Sequence, residues 1–220
     1  NMFPELLNVV RTLRPRAVLV ENVRGLARPS FARYLNYIQL MLTYPEILRK
    51  ETEDWPDHLS RLERYHTRGK RDSLYYRVVY RVVNAADYGV PQKRERLFIV
   101  ALRSDLGIEW SFPRQTHSLD ALLYAQYGSG EYWERHHVAK KHRPAPQPMF
   151  ERRVETMRDA LMAPLVQPWR TVRDAIHDLP KPAPRRGSDD LSLTHFAIPG
   201  ARTYKGHTGS PLDEPSKTLK

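Results

Sequence analysis

The chain has 220 residues, of which 36 are Lys or Arg and 25 are Asp or Glu, giving a formal net charge of +11 and pointing to a polyanionic partner, with a merely basic soluble surface as the plainer alternative. Hydrophobic residues make up 40%, enough to bury a core, and the absence of cysteine excludes disulfides, thiolate metal sites and a cysteine nucleophile within these residues. No apolar run reaches the roughly 20 residues of a membrane-spanning helix, and the opening NMFPELLNVV lacks a basic leader and a cleavage site, so a cytoplasmic location is expected.

Met2 to Leu13 reads as a helix: Phe3, Leu6, Leu7, Val10 and Leu13 recur at helical spacing, Pro4 suits a first turn and Pro15 stops it. The chain opens on this helix without a linker, which suggests a piece of something longer. Ala17 to Val20 is a short apolar run, expected to be a strand buried on both faces as in parallel sheets, with a polar break at Glu21 and Asn22 and a turn at Gly25. Ser30 is the predicted cap of a second helix with Phe31, Tyr34, Leu35, Ile38 and Leu42 on one face, ending near Pro45. Arg49 to Asp72 carries both signs of charge and reads as a solvated loop or helix, inserted into the fold. YYRVVYRVV, Tyr75 to Val83, has the strongest strand propensity; a turn is expected over Tyr88 to Gln92 and another strand over Leu97 to Leu102. This order predicts an α/β fold with an antiparallel hairpin at the sheet edge. Beyond Trp110 prolines and basic residues multiply. A boundary is placed near Phe112, dividing the chain into 1–112 and 113–220. Thr171 to Leu179 is a short helix opened by a Thr171/Asp174 capping box.

Gln92, Arg94 and Arg96 alternate directly before the second strand, and an extended segment puts all three on one face. Guanidinium forks suit phosphates, carboxylates and base carbonyls, and arginines at a strand start are costly unless paired; Glu95 is the plain partner. Lys93 and Glu95 then face the other way, as solvated or structural groups. Glu21 sits at the carboxyl end of a strand, where ligands bind in parallel α/β sheets. Desolvation there raises a carboxyl pKa and lets it share a proton with a ring nitrogen. Asn22 orients it or accepts a backbone bond; the plainer reading is a polar pair that closes the strand. In the second region Arg135, Lys140, Lys141, Arg143, Arg152 and Arg153 lie among Tyr124, Tyr127, Tyr132, Trp133 and Trp169, a mixture suited to anchoring phosphates and stacking on bases. TYKGHTGS, Thr203 to Ser210, brings Lys205 in a loop that either approaches DNA or is simply solvated. His136, His137 and His142 lack a carboxylate array, and no metal site is expected from them.

RAVLVENVRGL followed by NAADYGVPQKRERLFIVALR resembles the cytosine-5 DNA methyltransferase family: Glu-Asn-Val at Glu21 to Val23, then Tyr-Gly-Val-Pro and Gln-x-Arg-x-Arg at Tyr88 to Arg96. The final DEPSKTLK is similar to the family segment that closes the target-recognition region, and TVRDAIHDLP shows a more diffuse likeness. The resemblance implies part of a Rossmann-like methyltransferase sheet with an antiparallel edge strand, followed by a small, irregular target-recognition region. It implies double-stranded DNA as partner, a flipped cytosine as substrate and S-adenosyl-L-methionine as methyl donor. By motif match, Glu21 bonds the ring nitrogen and the exocyclic amine, Arg96 contacts the base carbonyl, Arg94 and Gln92 support the pocket, and Asn22 and Val23 fix the motif. The family's Pro-Cys nucleophile and Gly-rich cofactor loop precede these motifs and are not in the chain. The remainder of the methyltransferase, in cis or as a second subunit, is therefore an implied partner, and this chain alone is expected to be inactive. A bacterial modification enzyme acting at the nucleoid fits best; an RNA cytosine-5 enzyme and a non-catalytic nucleic-acid binder stay open, the long basic region favouring DNA.

Overall fold

The computed structural model describes residues 2–69, 74–159, 164–179, 183–184, 196–197 and 209–218. They gather into two units, Asn1–Val83 with Glu95–Arg114, and Asn84–Arg94 with Gln115–Lys220.

In the first unit, helix α1 (Phe3–Leu13) has proline in its first turn and ends on Arg14, in the left-handed region at φ 46°, just before Pro15. Only one stripe is apolar inward: Phe3, Leu7 and Val10 are buried, whereas Leu13, in the last turn, is 70% exposed. Strand β1 (Ala17–Val23) follows, then helices α2 (Ala32–Thr43) and α3 (Trp55–Thr67), and strands β2 (Tyr76–Asn84) and β3 (Glu95–Arg103). The sheet order is β1-β3-β2, with β1 and β3 antiparallel: Val18 faces Ala101, Val20 faces Ile99 and Asn22 faces Leu97. These residues meet α1 and α2 in one core that includes Phe3, Leu7, Val10, Val18, Leu35, Ile38, Leu42, Leu97 and Ile99. A fully buried leucine in such a core is worth about 1.5–3 kcal/mol.

Three expectations are corrected here. β1 is not buried on both faces: its exposure alternates, Leu19 is 67% exposed, and its ladder with β3 is antiparallel, with helices on one face only. Nor do Glu21 and Asn22 break it, because their backbone stays paired with β3 as far as Val23. Ser30 does not cap α2; Pro29 starts a 3-10 turn that takes in Ser30 and Phe31, α2 opens without a side-chain cap, and Phe31 is 46% exposed.

The charged stretch after Pro45 contains α3, capped by Asp54, whose carboxylate accepts from the Asp57 N–H at 2.9 Å. Leu59 and Leu62 pack on Tyr37, Leu40 and Tyr44. His58 is buried between them, with Nε2 3.0 Å from the Ile47 carbonyl and Nδ1 2.9 Å from the Tyr37 hydroxyl. A carbonyl only accepts, so Nε2 carries the proton and Nδ1 accepts from Tyr37; burial lowers the pKa of this ring and favours its neutral form. Among the described residues no helix is long and apolar enough to cross a membrane.

The second unit is built from short pieces. Strand β4 (His117–Ser118) pairs in parallel with β5 (Gln167–Pro168), and helix α4 (Leu119–Leu123) packs on both; helices α5 (Glu131–Arg135), α6 (Glu151–Asp159) and α7 (Val172–Ile176) follow in the unit, and β6 (Ala183–Pro184) pairs in parallel with β7 (Phe196–Ala197). Its core joins Ala86, Leu122, Ala125, Tyr132, Trp133 and Trp169. Both capping-box bonds of Thr171 and Asp174 are made at α7. The segment Asn84–Arg94 belongs to this unit: Asp87 accepts from Trp169 Nε1 at 2.9 Å and from Gln115 Nε2 at 2.8 Å.

Gly89 ends the 3-10 turn Ala85–Tyr88 at φ 85°, and a Cβ there would lie 2.7 Å from Cε1 of the His117 ring. Left-handed backbone and contact act together, so Gly89→Ala is expected to destabilise the second unit by more than about 1 kcal/mol in urea unfolding. An unchanged midpoint would show that the turn relaxes freely.

Candidate functional site

The β1/β3 register sets the first part of the site. Val23 lies opposite Arg96 and Glu21 opposite Phe98, so Glu21 and Arg96 are diagonal neighbours on the sheet face that looks away from α1 and α2. Arg96 Nε forms an ion pair with Glu21 Oε1 at 2.7 Å, and Arg96 Nη1 donates to the Glu95 carbonyl at 2.9 Å. The Arg96 side chain is 21% exposed and that of Glu21 49%. The expected desolvation of Glu21 is therefore not supplied by the first unit, whose helices cover the other face. What the pair offers is an acceptor beside a fork of donors, the complement of a ring edge that carries an amine next to a carbonyl. Beside it Arg24 pairs with Glu95, so Glu95 partners Arg24 through its carboxylate and Arg96 through its carbonyl. Asn22 is not brought to Glu21: alternation puts it on the opposite face, and its Oδ1 accepts from the Val23 N–H at 2.8 Å. Val23 shares the Glu21 face and is 58% exposed.

Gln92 and Arg94 belong to the second unit, and the regular strand takes in only Arg96 of the three residues expected on one extended face. β3 begins only at Glu95, while Gln92 makes an isolated parallel bridge to Ser216. The backbone of Arg94 is held on both sides, its N–H by Asn84 Oδ1 at 3.2 Å and its carbonyl by the Ala85 N–H at 3.0 Å. The Arg94 side chain is exposed and makes no hydrogen bond or ion pair among the described residues. Lys93 is not simply solvated: its ammonium reaches Glu214 at 3.3 Å. Gln92 Nε2 makes a long contact, 3.5 Å, to the Lys217 carbonyl.

The basic residues of the second unit divide. Arg135 donates to Asp174 at 2.9 Å and lies 5.6 Å over the Tyr132 ring. Arg143 Nε donates to the Val138 carbonyl at 3.0 Å, and Arg153 pairs with Asp120. Lys140 and Lys141 stand exposed in one 3-10 turn, without a partner among the described residues. Lys205 lies outside the described residues, with most of the Thr203 to Ser210 loop. Nε2 of His136 is taken by Asp174 at 2.8 Å, and no group of three metal-ligating side chains occurs among the described residues. Sequence reasoning gave no role to Phe98, across from Glu21, nor to Asp213 and Glu214 at the start of DEPSKTLK, of which Glu214 reaches Lys93 beside Arg94. Only the strand register and contacts across more than a hundred positions reveal them.

A profile of C-5 cytosine-specific DNA methylases matches residues 66–198. The chain is 36% identical over 114 residues to Type II methyltransferase M.AquIA of Picosynechococcus sp., covering 51% of this chain and 36% of that protein. It is 28% identical over 221 residues to Type II methyltransferase M.Eco47II of Escherichia coli, covering 100% of this chain and 42% of that protein. A shorter stretch of 39 residues is 56% identical to Type II methyltransferase M.MthTI of Methanothermobacter thermautotrophicus, 18% of this chain and 12% of that protein. The chain thus spans less than half the length of these relatives.

Asp174 is where α5 and α7 meet electrostatically. Burial acts to raise its pKa, but hydrogen bonds from the Thr171 backbone, His136 and the Thr171 hydroxyl, with the Arg135 charge, outweigh that and leave it below the ordinary 3.8. A carboxyl depressed by folding stabilises the fold above its unfolded value and loses that contribution as pH falls through the folded one. Asp174→Asn is therefore expected to melt lower than wild type at neutral pH, by about 1–3 kcal/mol for the broken network. That gap narrows as pH drops below 3.8. A gap constant across the acid range would assign the loss to packing instead.

Proposed function

The chain belongs to the C-5 cytosine-specific DNA methylase family, and from that membership we propose that it supplies the base-holding wall and the DNA reader of a DNA (cytosine-5-)-methyltransferase of restriction-modification type. The observation that carries this reading is the Glu21–Arg96 pair, joined at 2.7 Å across two antiparallel strands. A cytosine flipped from duplex DNA presents an exocyclic amine, a ring nitrogen and a carbonyl along one edge. In this proposal the Glu21 carboxylate accepts from the amine and holds a proton at the ring nitrogen, while Arg96 donates to the carbonyl. In the complete enzyme a thiolate would add to carbon 6, push electron density into the ring and make carbon 5 nucleophilic; the methyl group would pass to carbon 5 as its bond to the donor's sulfur breaks, a base or water would take the carbon 5 proton, and the thiolate would be expelled. Preplaced donors lower the cost of that charge. The ladder holds Glu21 and Arg96 side by side, so in this proposal one ring edge meets both groups. Arg94, Gln92, Asn22 and Val23 act in support.

The thiolate belongs to a cysteine outside these residues, since the chain has none. S-adenosyl-L-methionine supplies the methyl group when bound to the complete enzyme. Among the described residues the groups around Glu21 pair with one another, and in this proposal the donor's site lies in the remainder of the enzyme, in cis or as a second subunit. Two features support such a partner: β1 has β3 as its only neighbour in the described sheet, and its Leu19 and Val23 are 67% and 58% exposed. In the complete enzyme, we take β1-β3-β2 as one margin of a Rossmann-like sheet within a catalytic part over 1–112. The target-recognition part is 113–220, acting on double-stranded DNA at the nucleoid in the cytoplasm. Lys140 and Lys141, with Arg135 and Arg143 beside them, are its phosphate contacts.

In the complete enzyme carrying this chain, Glu21→Gln is expected to cut turnover on duplex DNA by about a hundredfold while duplex affinity moves by less than about threefold. Equal losses in turnover and affinity would reject the role of Glu21, and unchanged turnover would favour a non-catalytic binder. Lys140→Ala and Lys141→Ala are each expected to lower the slope of log affinity against log salt by about one, for any duplex sequence. Binding that keeps its full slope in the double variant would remove both residues from the phosphate interface.

A further inference from the structure

Residues 211–218 form a link within the second unit that the reaction above does not use. At one end the link closes the start of α7: the N–H of Val172 donates to the Glu214 carbonyl at 2.9 Å and that of Arg173 to the Leu212 carbonyl at 2.7 Å. A helix leaves its first N–H groups without partners of its own, and here the link supplies the carbonyls. Asp213 is the anchor. Its carboxylate accepts a two-point bond from Arg173, at 2.7 and 3.1 Å, and the Tyr132 hydroxyl at 2.9 Å, and its carbonyl accepts from Gln126 Nε2 at 2.7 Å. At the other end the link reaches the loop before β3. The Ser216 N–H donates to the Pro91 carbonyl at 2.8 Å, the Lys93 N–H to the Ser216 carbonyl at 2.8 Å, and the Thr218 hydroxyl to the Lys93 carbonyl at 2.5 Å. Glu214 takes the Lys93 ammonium at 3.3 Å and also accepts from Gln147 Nε2.

The consequence falls on Arg94. Both flanks of its backbone are fixed, the neighbouring Lys93 is neutralised by Glu214, and Arg94 is left as the unpaired cation of the loop among the described residues. We propose that Asp213 and Glu214 are positioning residues that tie the α5/α7 frame to the loop bearing Arg94, so that the part of the chain that reads DNA also fixes where this guanidinium meets its anionic target. This rests on the methylase reading above. A two-point carboxylate–guanidinium bond is directional, which makes Asp213 a better anchor than a single surface contact. Because Arg94 acts as a donor of fixed aim, displacement by about an ångström is enough to lose on the order of tenfold or more in rate.

The test uses the complete enzyme carrying this chain. In Asp213→Asn, amide hydrogen exchange at residues 92–94 is expected to accelerate and kcat to fall on the order of tenfold, with KM and duplex Kd within about threefold. If that variant loses its cooperative unfolding, the ion pair decides: Lys93→Glu lowers kcat, and adding Glu214→Lys recovers most of it. Unchanged kcat in both Asp213→Asn and Lys93→Glu overturns the proposal, as does a charge-swapped pair that stays as slow as Lys93→Glu. A wild-type enzyme that transfers no methyl group to duplex cytosine defeats the methylase reading, while exchange at residues 92–94 still judges the link. Full methyl transfer in wild type and all variants defeats the link alone.

Discussion

Antiparallel pairing of β1 with β3 is the constraint on which the candidate site depends. Glu21 and Arg96 are 75 positions apart by number, and neither has a local reason to meet the other; the ladder alone makes them diagonal neighbours. The side-chain period of a strand is two, so a slip of one residue would move Arg96 to the helix-covered face among Leu97, Ile99 and Ala101. The apolar face guards against that slip. Val18, Val20, Leu97, Ile99 and Ala101 are held against α1 and α2, and burying them fixes which side chains remain on the far face. The core thus aims the chemistry without touching it.

The same logic explains what was legible in the sequence. Helix α1, strand β3 and the Thr171/Asp174 capping box depend on spacings of a few residues, and each formed close to where its pattern placed it. The acid and the arginine of the site were legible too, through the likeness of Glu-Asn-Val and Gln-x-Arg-x-Arg to a known family. What depends on distant partners was not. The burial of β1 was misjudged because four apolar residues in a row look alike whether one face or both are covered, and only the neighbours decide. Ser30 has the chemistry of a helix cap, but Pro29 sets the backbone first and draws it into a 3-10 turn. Gln92, Arg94 and Arg96 alternate as a strand would, yet β3 takes in only Arg96, and the backbone of Lys93 and Arg94 bonds to Ser216, Asn84 and Ala85.

Charge is a similar case. A net +11 says that the chain favours polyanions, but not which cations are available for them. Several arginines that look free in the sequence are engaged internally: Arg61 with Glu53, Arg103 with Asp105, Arg153 with Asp120 and Arg173 with Asp213. Pairs at the surface add little to stability and are weakened by salt, so their greater effect is to withdraw charge from binding. Lys140, Lys141 and Arg94 stand out because no such partner occurs among the described residues. Selection of cations by internal pairing is therefore as much a part of a nucleic-acid surface as its composition.

Lys93 and Arg94 carry the principle to its finest scale. They are adjacent, both cationic, and both belong to a loop whose backbone is pinned, yet Glu214 neutralises one and leaves the other. An ammonium is a compact, strongly hydrated charge on a flexible stem, suited to being held by a carboxylate at 3.3 Å, as it is here. A guanidinium is a planar fork whose value lies in the direction of its donors, and that direction is only as good as the backbone beneath it. In the proposed role, fixing the peptide groups on both sides of Arg94 while leaving its fork unengaged among the described residues would lower the entropy lost on binding a phosphate or a base carbonyl. An arginine in a free loop would lose that order only on binding, and part of the rate it confers would go with it.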